Sequence, residues 1–138
     1  MPRRIPILGG TLIVAVVLAF TFRWVRAQDR RVSPHESISG MVDGARITIT
    51  YGRPSMRGRR IFGGLVPYGR VWCPGADEAT TLDSSRDLQI GDLKVPAGPH
   101  TIWILPTSDA WTLIVSREPE GFHTAYHPSA DLGRVPLT

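Results

Sequence analysis

The residues best suited to chemistry lie between positions 52 and 79, in a stretch rich in glycine, proline and arginine. Arg53 and Arg59 could hold a carboxylate or phosphate through paired N–H groups, helped by nearby backbone amides. The alternative is structural: the arginines bond Asp77 or Glu78 and fix a loop without regular structure. An arginine pair followed by acids in one loop more often forms such a clamp. Both interpretations make these four residues candidates.

Aromatic side chains add a second feature to the same stretch. Tyr68 and Trp72 lie in the long loop and are the predicted aromatic members of a ligand site. Trp103 and Trp111 lie in apolar runs instead, and in a small domain such residues usually form the core because each buries a large apolar area. The sequence therefore predicts Trp103 and Trp111 in the core.

A metal site is a further hypothesis. Its candidate ligands are one thiol and three imidazoles, the types that zinc and copper favour: Cys73, His100, His123 and His127. His123 and His127 have the spacing that places two rings on one face of a helix, but Gly121 and Pro128 bracket them and disfavour a helix. The alternative is surface histidines and a half-buried thiol beside Trp72, with no cofactor.

Nucleophilic catalysis by Cys73 is a third hypothesis, with one of the histidines as base and Asp77 or Glu78 orienting it. Such a thiol needs a neighbour that lowers its pKa, and sequence alone does not show one. Zinc-protease, serine-hydrolase, P-loop and dinucleotide motifs are all missing from the sequence. An enzyme is therefore the less favoured interpretation.

Charge and cysteine content narrow the class of protein. The chain has 16 basic and 12 acidic residues, and four of the arginines fall within residues 1–27, which contain no acid. The remaining chain is formally neutral, so it lacks the excess positive charge that nucleic-acid binding requires. Cys73 is the only cysteine, so the chain cannot form an internal disulfide and its stability must come from packing.

The N-terminal segment predicts export. Residues 5–22 carry no charge, Arg3 and Arg4 precede them, and Val25-Arg26-Ala27 provides a cleavage signal that would leave Gln28 first. The alternative is an uncleaved hydrophobic helix that contacts the membrane through residues 5–22. Both place the domain outside the cytoplasm, as a periplasmic, secreted or membrane-tethered protein. The arginines that follow the apolar run argue against this orientation.

The rest of the chain shows the pattern of short strands. After a charged tether at 28–36, a single β domain is predicted over 37–138. Its strands are expected at Arg46–Tyr51, Ala79–Leu82, Asp87–Val95 (with a Gly91-Asp92 turn), Thr101–Leu105 and Trp111–Ser116. Their spacing favours an all-β fold, either a small antiparallel β-sandwich or a partly open barrel.

Five strings in this domain resemble the bacterial family known as domain of unknown function 2911. They are Y-G-R-P-S-M-R-G-R-R-I-F-G-G-L-V-P-Y-G-R-V-W, G-A-D-E-A-T-T-L, V-P-A-G-P-H-T-I-W-I-L-P, W-T-L-I-V and D-L-G-R-V-P-L, and they cover most of residues 37–138. The resemblance implies an exported bacterial protein of unassigned activity. It supplies no catalytic residues.

The chain departs from this family at two places. Many relatives have arginine where this chain has Cys73. Relatives also continue past V-P-L with further strands, so we expect a truncated domain that lacks its last hairpin and leaves a sheet edge unpaired.

Three functions follow from the sequence. The favoured one is a non-enzymatic exported module that binds a small molecule or a protein partner with the region between Arg53 and Glu78. The first alternative is a metal-dependent or thiol-based enzyme that uses Cys73 and the histidines. The second alternative is a purely structural envelope protein.

Overall fold

The computed structural model describes residues 33–137. The predicted signal peptide or membrane helix, and the first part of the predicted tether, lie outside these residues. Within residues 33–137 no helix has the length and hydrophobicity needed to cross a membrane.

The described residues form eight strands. They are β1 (His35–Val42), β2 (Ala45–Gly52), β3 (Thr81–Ser84), β4 (Leu88–Ile90), β5 (Leu93–Val95), β6 (Gly98–Pro106), β7 (Trp111–Ser116) and β8 (Asp131–Leu137), with a short 3-10 turn at Pro128–Ala130. Six strands form an open antiparallel sheet in the order β1-β2-β3-β6-β7-β8, and β4 and β5 form a separate hairpin. The prediction of an all-β, antiparallel fold is confirmed.

Strand β1 and its turn are not anticipated from the sequence. β1 begins at His35, inside the predicted tether, and pairs along its whole length with β2. Asp43 and Gly44 connect the two strands with φ of 46° and 77°. Two successive positive φ values are typical of a type I′ hairpin turn, for which Asp-Gly is a favoured sequence.

The two hairpins predicted further along the chain are present. Gly91 links β4 to β5 with a φ of 56°, as expected for a first turn residue that needs the left-handed region. Residues 107–110 connect β6 to β7, and the Thr107 N–H donates to the Ala110 carbonyl at 2.9 Å. The sequence pattern therefore locates these connections correctly.

Strand β6 has two halves with different neighbours. Its first half pairs with β3, from Gly98 to Thr101. Its second half pairs with β7, and on its other side Ile104 exchanges backbone hydrogen bonds with Trp72 at 2.8 and 2.9 Å. The Gly69 N–H also donates to the Pro106 carbonyl at 2.8 Å. The long segment 53–79 is thus an irregular continuation of the β3 line along β6.

The core centres on Trp103, which is 2% exposed and packs with the fully buried Ile114. Cys73 and Ala79, from the long segment, belong to the same cluster. The prediction that Trp103 lies in the core is confirmed. The same prediction for Trp111 is wrong: Trp111 is only half-buried, because at the start of β7 it lines a cavity beside Phe62 of the long segment.

Candidate functional site

A cavity of about 1060 Å³ lies between the long segment and the second half of β6. Five aromatic residues line it: Phe62, Trp72, Trp103, Trp111 and Tyr126. Aliphatic side chains from the long segment complete the apolar wall. The polar or ionisable members of the lining, apart from Tyr126, are Ser55, Arg59, Arg70, Cys73, His123 and Thr124. The volume is at the upper end of the range typical of small-molecule sites.

The long segment keeps its shape through short backbone contacts. The Val66 N–H donates to the Ile61 carbonyl at 2.9 Å, and the Gly63 N–H donates to the Val66 carbonyl at the same distance. Gly63 has a φ of 71°, which favours glycine at this tight turn. Val66 is 4% exposed and anchors the loop, whereas Phe62 projects from it.

Phe62 and Trp111 form one wall of the cavity. Their ring centroids are 4.8 Å apart and the rings meet edge to face at 68°. Such a pair contributes about 0.5–1.5 kcal/mol beyond its buried area. Phe62 is 48% exposed, so the contact closes the cavity without sealing it.

The structure separates the two predicted aromatic site members. Trp72 lines the cavity, held there by its backbone pairing with Ile104. Tyr68 does not line it. Tyr68 is 45% exposed and lies against Gly63, where a Cβ would come within 2.9 Å of its ring. Tyr68 therefore supports the loop and does not face the cavity.

The two predicted arginines also have different roles. Arg59 lines the cavity, and its guanidinium donates to the carbonyls of Met56 and Ser55 at 3.0 and 2.9 Å. Arg53 does not line the cavity and forms an ion pair with Glu36 of β1 at 2.6 Å. The predicted clamp between these arginines and Asp77 or Glu78 is therefore wrong.

The acidic residues fail to meet the arginines because residues 73–79 turn toward other elements. The Asp77 carbonyl accepts the His123 backbone N–H at 2.9 Å, and Asp77 has a φ of 65°. A carboxylate oxygen of Glu78 lies 3.5 Å from Nδ1 of His35 in β1. Asp77 and Glu78 thus tie the long segment to its neighbours and do not line the cavity.

Cys73 lies at the cavity wall but is only 2% exposed. Burial raises the pKa of the thiol, and hydrogen bonds from Thr80 oppose this only in part; the Thr80 backbone N–H lies 3.5 Å from Sγ. A thiol with a raised pKa is a poor nucleophile at neutral pH. The environment is the reverse of the one that activates a catalytic cysteine.

The predicted metal ligands are not brought together. His100 is buried, and its two ring nitrogens lie 2.9 and 3.0 Å from the carbonyls of Ser116 and Pro96, so neither is directed at another ligand. His127 is exposed and bonds Glu118 at 2.7 Å. Only Cys73 and His123 share the cavity. Within residues 33–137 no group of three histidine, cysteine or acidic side chains could hold a metal ion.

Tyr126 is a cavity residue that the sequence does not reveal. Its ring lies 5.2 Å from that of Trp103, and its hydroxyl lies 2.8 Å from both carboxylate oxygens of Asp131. Arg134 donates to the same hydroxyl at 3.0 Å. Burial and the Asp131 carboxylate raise the pKa of Tyr126, so the hydroxyl stays protonated at neutral pH. The signal that could have indicated it is the aromatic content of the short segment between Gly121 and Pro128, which contains Phe122 and Tyr126.

Comparison with known proteins gives one match. No curated protein and no solved structure matches the chain. A family model described as "Protein of unknown function (DUF2911)" matches residues 33–138, which include all eight strands and every residue that lines the cavity. The match covers most of the chain, and the chain belongs to the DUF2911 family.

Proposed function

We propose that this chain is a non-enzymatic binding module whose cavity takes a small organic molecule with an apolar or aromatic body. The aromatic lining of the cavity supports this most directly. The half-buried Trp72 and Trp111 and the exposed Phe62 offer flat apolar surfaces, and apolar walls with a few placed polar groups characterise ligand sites. Two tryptophans held in place, Trp72 by the long segment and Trp111 by β7, favour recognition of a ligand.

The state of the polar groups favours binding over catalysis. The raised pKa of Cys73 disfavours the thiolate that a nucleophile requires. His123 Nδ1 lies 2.8 Å from the Asp77 carbonyl, so this nitrogen is directed away from the thiol. A thiol–imidazole pair of the kind that activates cysteine enzymes is therefore not supported by these contacts.

The proposal also covers the cellular location of the protein and the layered arrangement of its fold. The uncharged run at 5–22 and the small residues before Gln28 support export, with the domain in the periplasm, secreted or tethered to the membrane. The β4–β5 hairpin packs on β8, where Gly133 lies so close to Leu93 that a Cβ would collide with it. We therefore interpret the fold as sandwich-like, with this hairpin as a second layer.

The experiment is a titration of the purified full chain with N-phenyl-1-naphthylamine, a neutral probe that becomes fluorescent in apolar surroundings. We expect a saturable signal. Thr124 lines the cavity and is exposed, so Thr124→Trp should narrow the site and weaken binding at least about fivefold, or ~1 kcal/mol.

The matched control is Ser129→Trp, which introduces the same ring at an exposed position outside the cavity. This variant should bind like the wild type, and it accounts for probe bound elsewhere on the full chain. If Thr124→Trp and Ser129→Trp bind the probe with equal affinity, the proposal is contradicted and the structural envelope role is favoured.

A further inference from the structure

We infer that the cavity selects an organic anion: a molecule whose apolar or aromatic body lies against the tryptophans and whose carboxylate, phosphate or sulfonate is bound by Arg70, with Arg59 adding positive charge. This inference rests on the proposed function and names the class of ligand. Its basis is the charge of the cavity wall.

The arginine and carboxylate side chains that could charge the cavity wall are of one sign only. Arg59 and Arg70 both line it, and among residues 33–137 no aspartate or glutamate does. The nearest acids in sequence stay outside the lining: Asp77 contacts His123 through its backbone carbonyl, and the Glu78 carboxylate lies 3.5 Å from His35 Nδ1. A cleft with one sign of charge and low-dielectric walls raises the local concentration of oppositely charged ligands.

Of the two arginines that line the cavity, Arg70 is the one whose donors are free. Its side chain is exposed and forms no ion pair or hydrogen bond with any residue of 33–137. The arginines that do form ion pairs in this range, Arg53 and Arg134, lie outside the cavity. A guanidinium has five donors in a planar fork that matches carboxylate and phosphate oxygens. All five are available on Arg70.

Arg59 is positioned differently. Two of its donors are used on the carbonyls of Ser55 and Met56, which fixes the guanidinium beside the cavity. Its positive charge is not neutralised, because a carbonyl carries only a partial charge. Arg59 therefore contributes positive electrostatic potential to the cavity and holds the loop in shape, whereas Arg70 contacts the anion directly.

The test measures displacement of N-phenyl-1-naphthylamine from the full chain by paired competitors of nearly equal shape. One pair is octanoate and octanol, and the other is 2-naphthoate and 2-naphthylmethanol. We expect the anion to bind about tenfold or more tightly than the neutral partner in at least one pair, the gain typical of a charge-assisted hydrogen bond. The two pairs distinguish an acyl chain from an aromatic body.

Arg70→Gln should abolish most of this preference while leaving octanol and 2-naphthylmethanol unaffected. Arg57→Asn is the matched control: it removes the same charge from the same segment, and asparagine suits the φ of 50° at this position. Added salt should weaken the binding of the anionic competitors and leave the binding of the alcohols unchanged.

The outcomes are separable. If anion and alcohol displace the probe equally, or if Arg70→Gln and Arg57→Asn alter the preference alike, the anion inference is wrong while the proposed cavity function stands. If no competitor displaces the probe and Thr124→Trp has no effect on probe binding, the proposed function fails and the inference fails with it.

Discussion

Two regions of the six-stranded sheet differ in their side chains: the β1–β2 end, and the part next to the opposite edge that contains β6 and β7, here called the β6–β7 end. At the β1–β2 end, hydroxyl side chains pair across the strands, with Ser37 and Thr50 at 2.7 Å and Ser39 and Thr48 at 2.8 Å. Ile38 of β1 is 56% exposed. At the β6–β7 end, tryptophans and aliphatic residues face the long segment, and Trp103 is almost completely buried.

This difference follows from what covers each end. The second half of β6 has β7 on one side and the irregular segment through Trp72 on the other. Because that segment bonds the sheet through its backbone, its side chains can stand away from β6 and leave a cavity. The β1–β2 hairpin is held mainly by regular pairing and by exposed side-chain contacts such as the Arg53–Glu36 ion pair, so the stability of the domain should depend mainly on the opposite end.

The largest expected effect is at the centre of the β6–β7 end. Trp103→Ala should lower the free energy of unfolding by about 3–5 kcal/mol, because a large, fully buried side chain is lost and a void remains. Ile38→Ala at the exposed end should cost less than about 1 kcal/mol. Urea unfolding of both variants measures the contrast, and equal losses would show that the two ends contribute alike.

The next effect concerns the contact between the two ends. Gly52 ends β2, and a Cβ there would overlap the Ala76 carbonyl of the long segment. Gly52→Ala should therefore cost about 1–3 kcal/mol. Gly40→Ala in β1 is the control, because nothing lies within 4 Å of its Cβ position. In thermal unfolding, Gly52→Ala should have a lower Tm than the wild type and Gly40→Ala should not. An unchanged Tm for Gly52→Ala would mean that the long segment can move away from the added methyl group at little cost.

A smaller effect is expected at the cavity wall. Phe62→Ala removes the edge-to-face contact with Trp111 and should cost about 0.5–1.5 kcal/mol of stability. It should also weaken probe binding. Phe122→Ala is the control, since Phe122 is 50% exposed and does not line the cavity. If Phe62→Ala and Phe122→Ala bind the probe with equal affinity, Phe62 does not contribute to ligand binding.

The smallest expected effect is the pH dependence of the unfolding free energy that is linked to Cys73. Because the pKa of Cys73 is raised in the folded state, the unfolded chain loses the thiol proton first as pH rises. Stability linked to this group is fully present below about pH 8.5, where an exposed thiol begins to ionise, and is lost above it. The difference in unfolding free energy between wild type and Cys73→Ala should shrink from pH 8 to pH 10. A constant difference would contradict a buried, protonated thiol.

The sequence predicts most of the strands but not β1 or β8. Alternating residues in β2 and turn residues such as Gly91 are local signals, so the strand at Arg46–Tyr51 and the later hairpins are found correctly. β1 is missed because its residues are mostly small and exposed, and the neighbouring charges favour a tether. The Asp43-Gly44 turn is the local signal that identifies it.

The candidate site is predicted only in part, since it depends on contacts between residues far apart in the chain. The long segment that the sequence singles out lines the cavity, and Trp72 and Arg59 are among its lining residues. Arg53 is misassigned because its ion-pair partner, Glu36, lies in the strand that the sequence does not reveal. Tyr126 enters from a loop more than 50 residues after Trp72, and no local pattern connects the two.

The central claim is that ligand enters the aromatic cavity at the β6–β7 end. Four tryptophans give four indole N–H signals in a ¹H–¹⁵N spectrum, each assignable by single substitution. During titration with 2-naphthoate, the signals of Trp72 and Trp111 should move together and saturate, while backbone amides of β1 and β2 stay in place. Stationary Trp72 and Trp111 signals, with shifts confined to the β1–β2 hairpin, would contradict the claim.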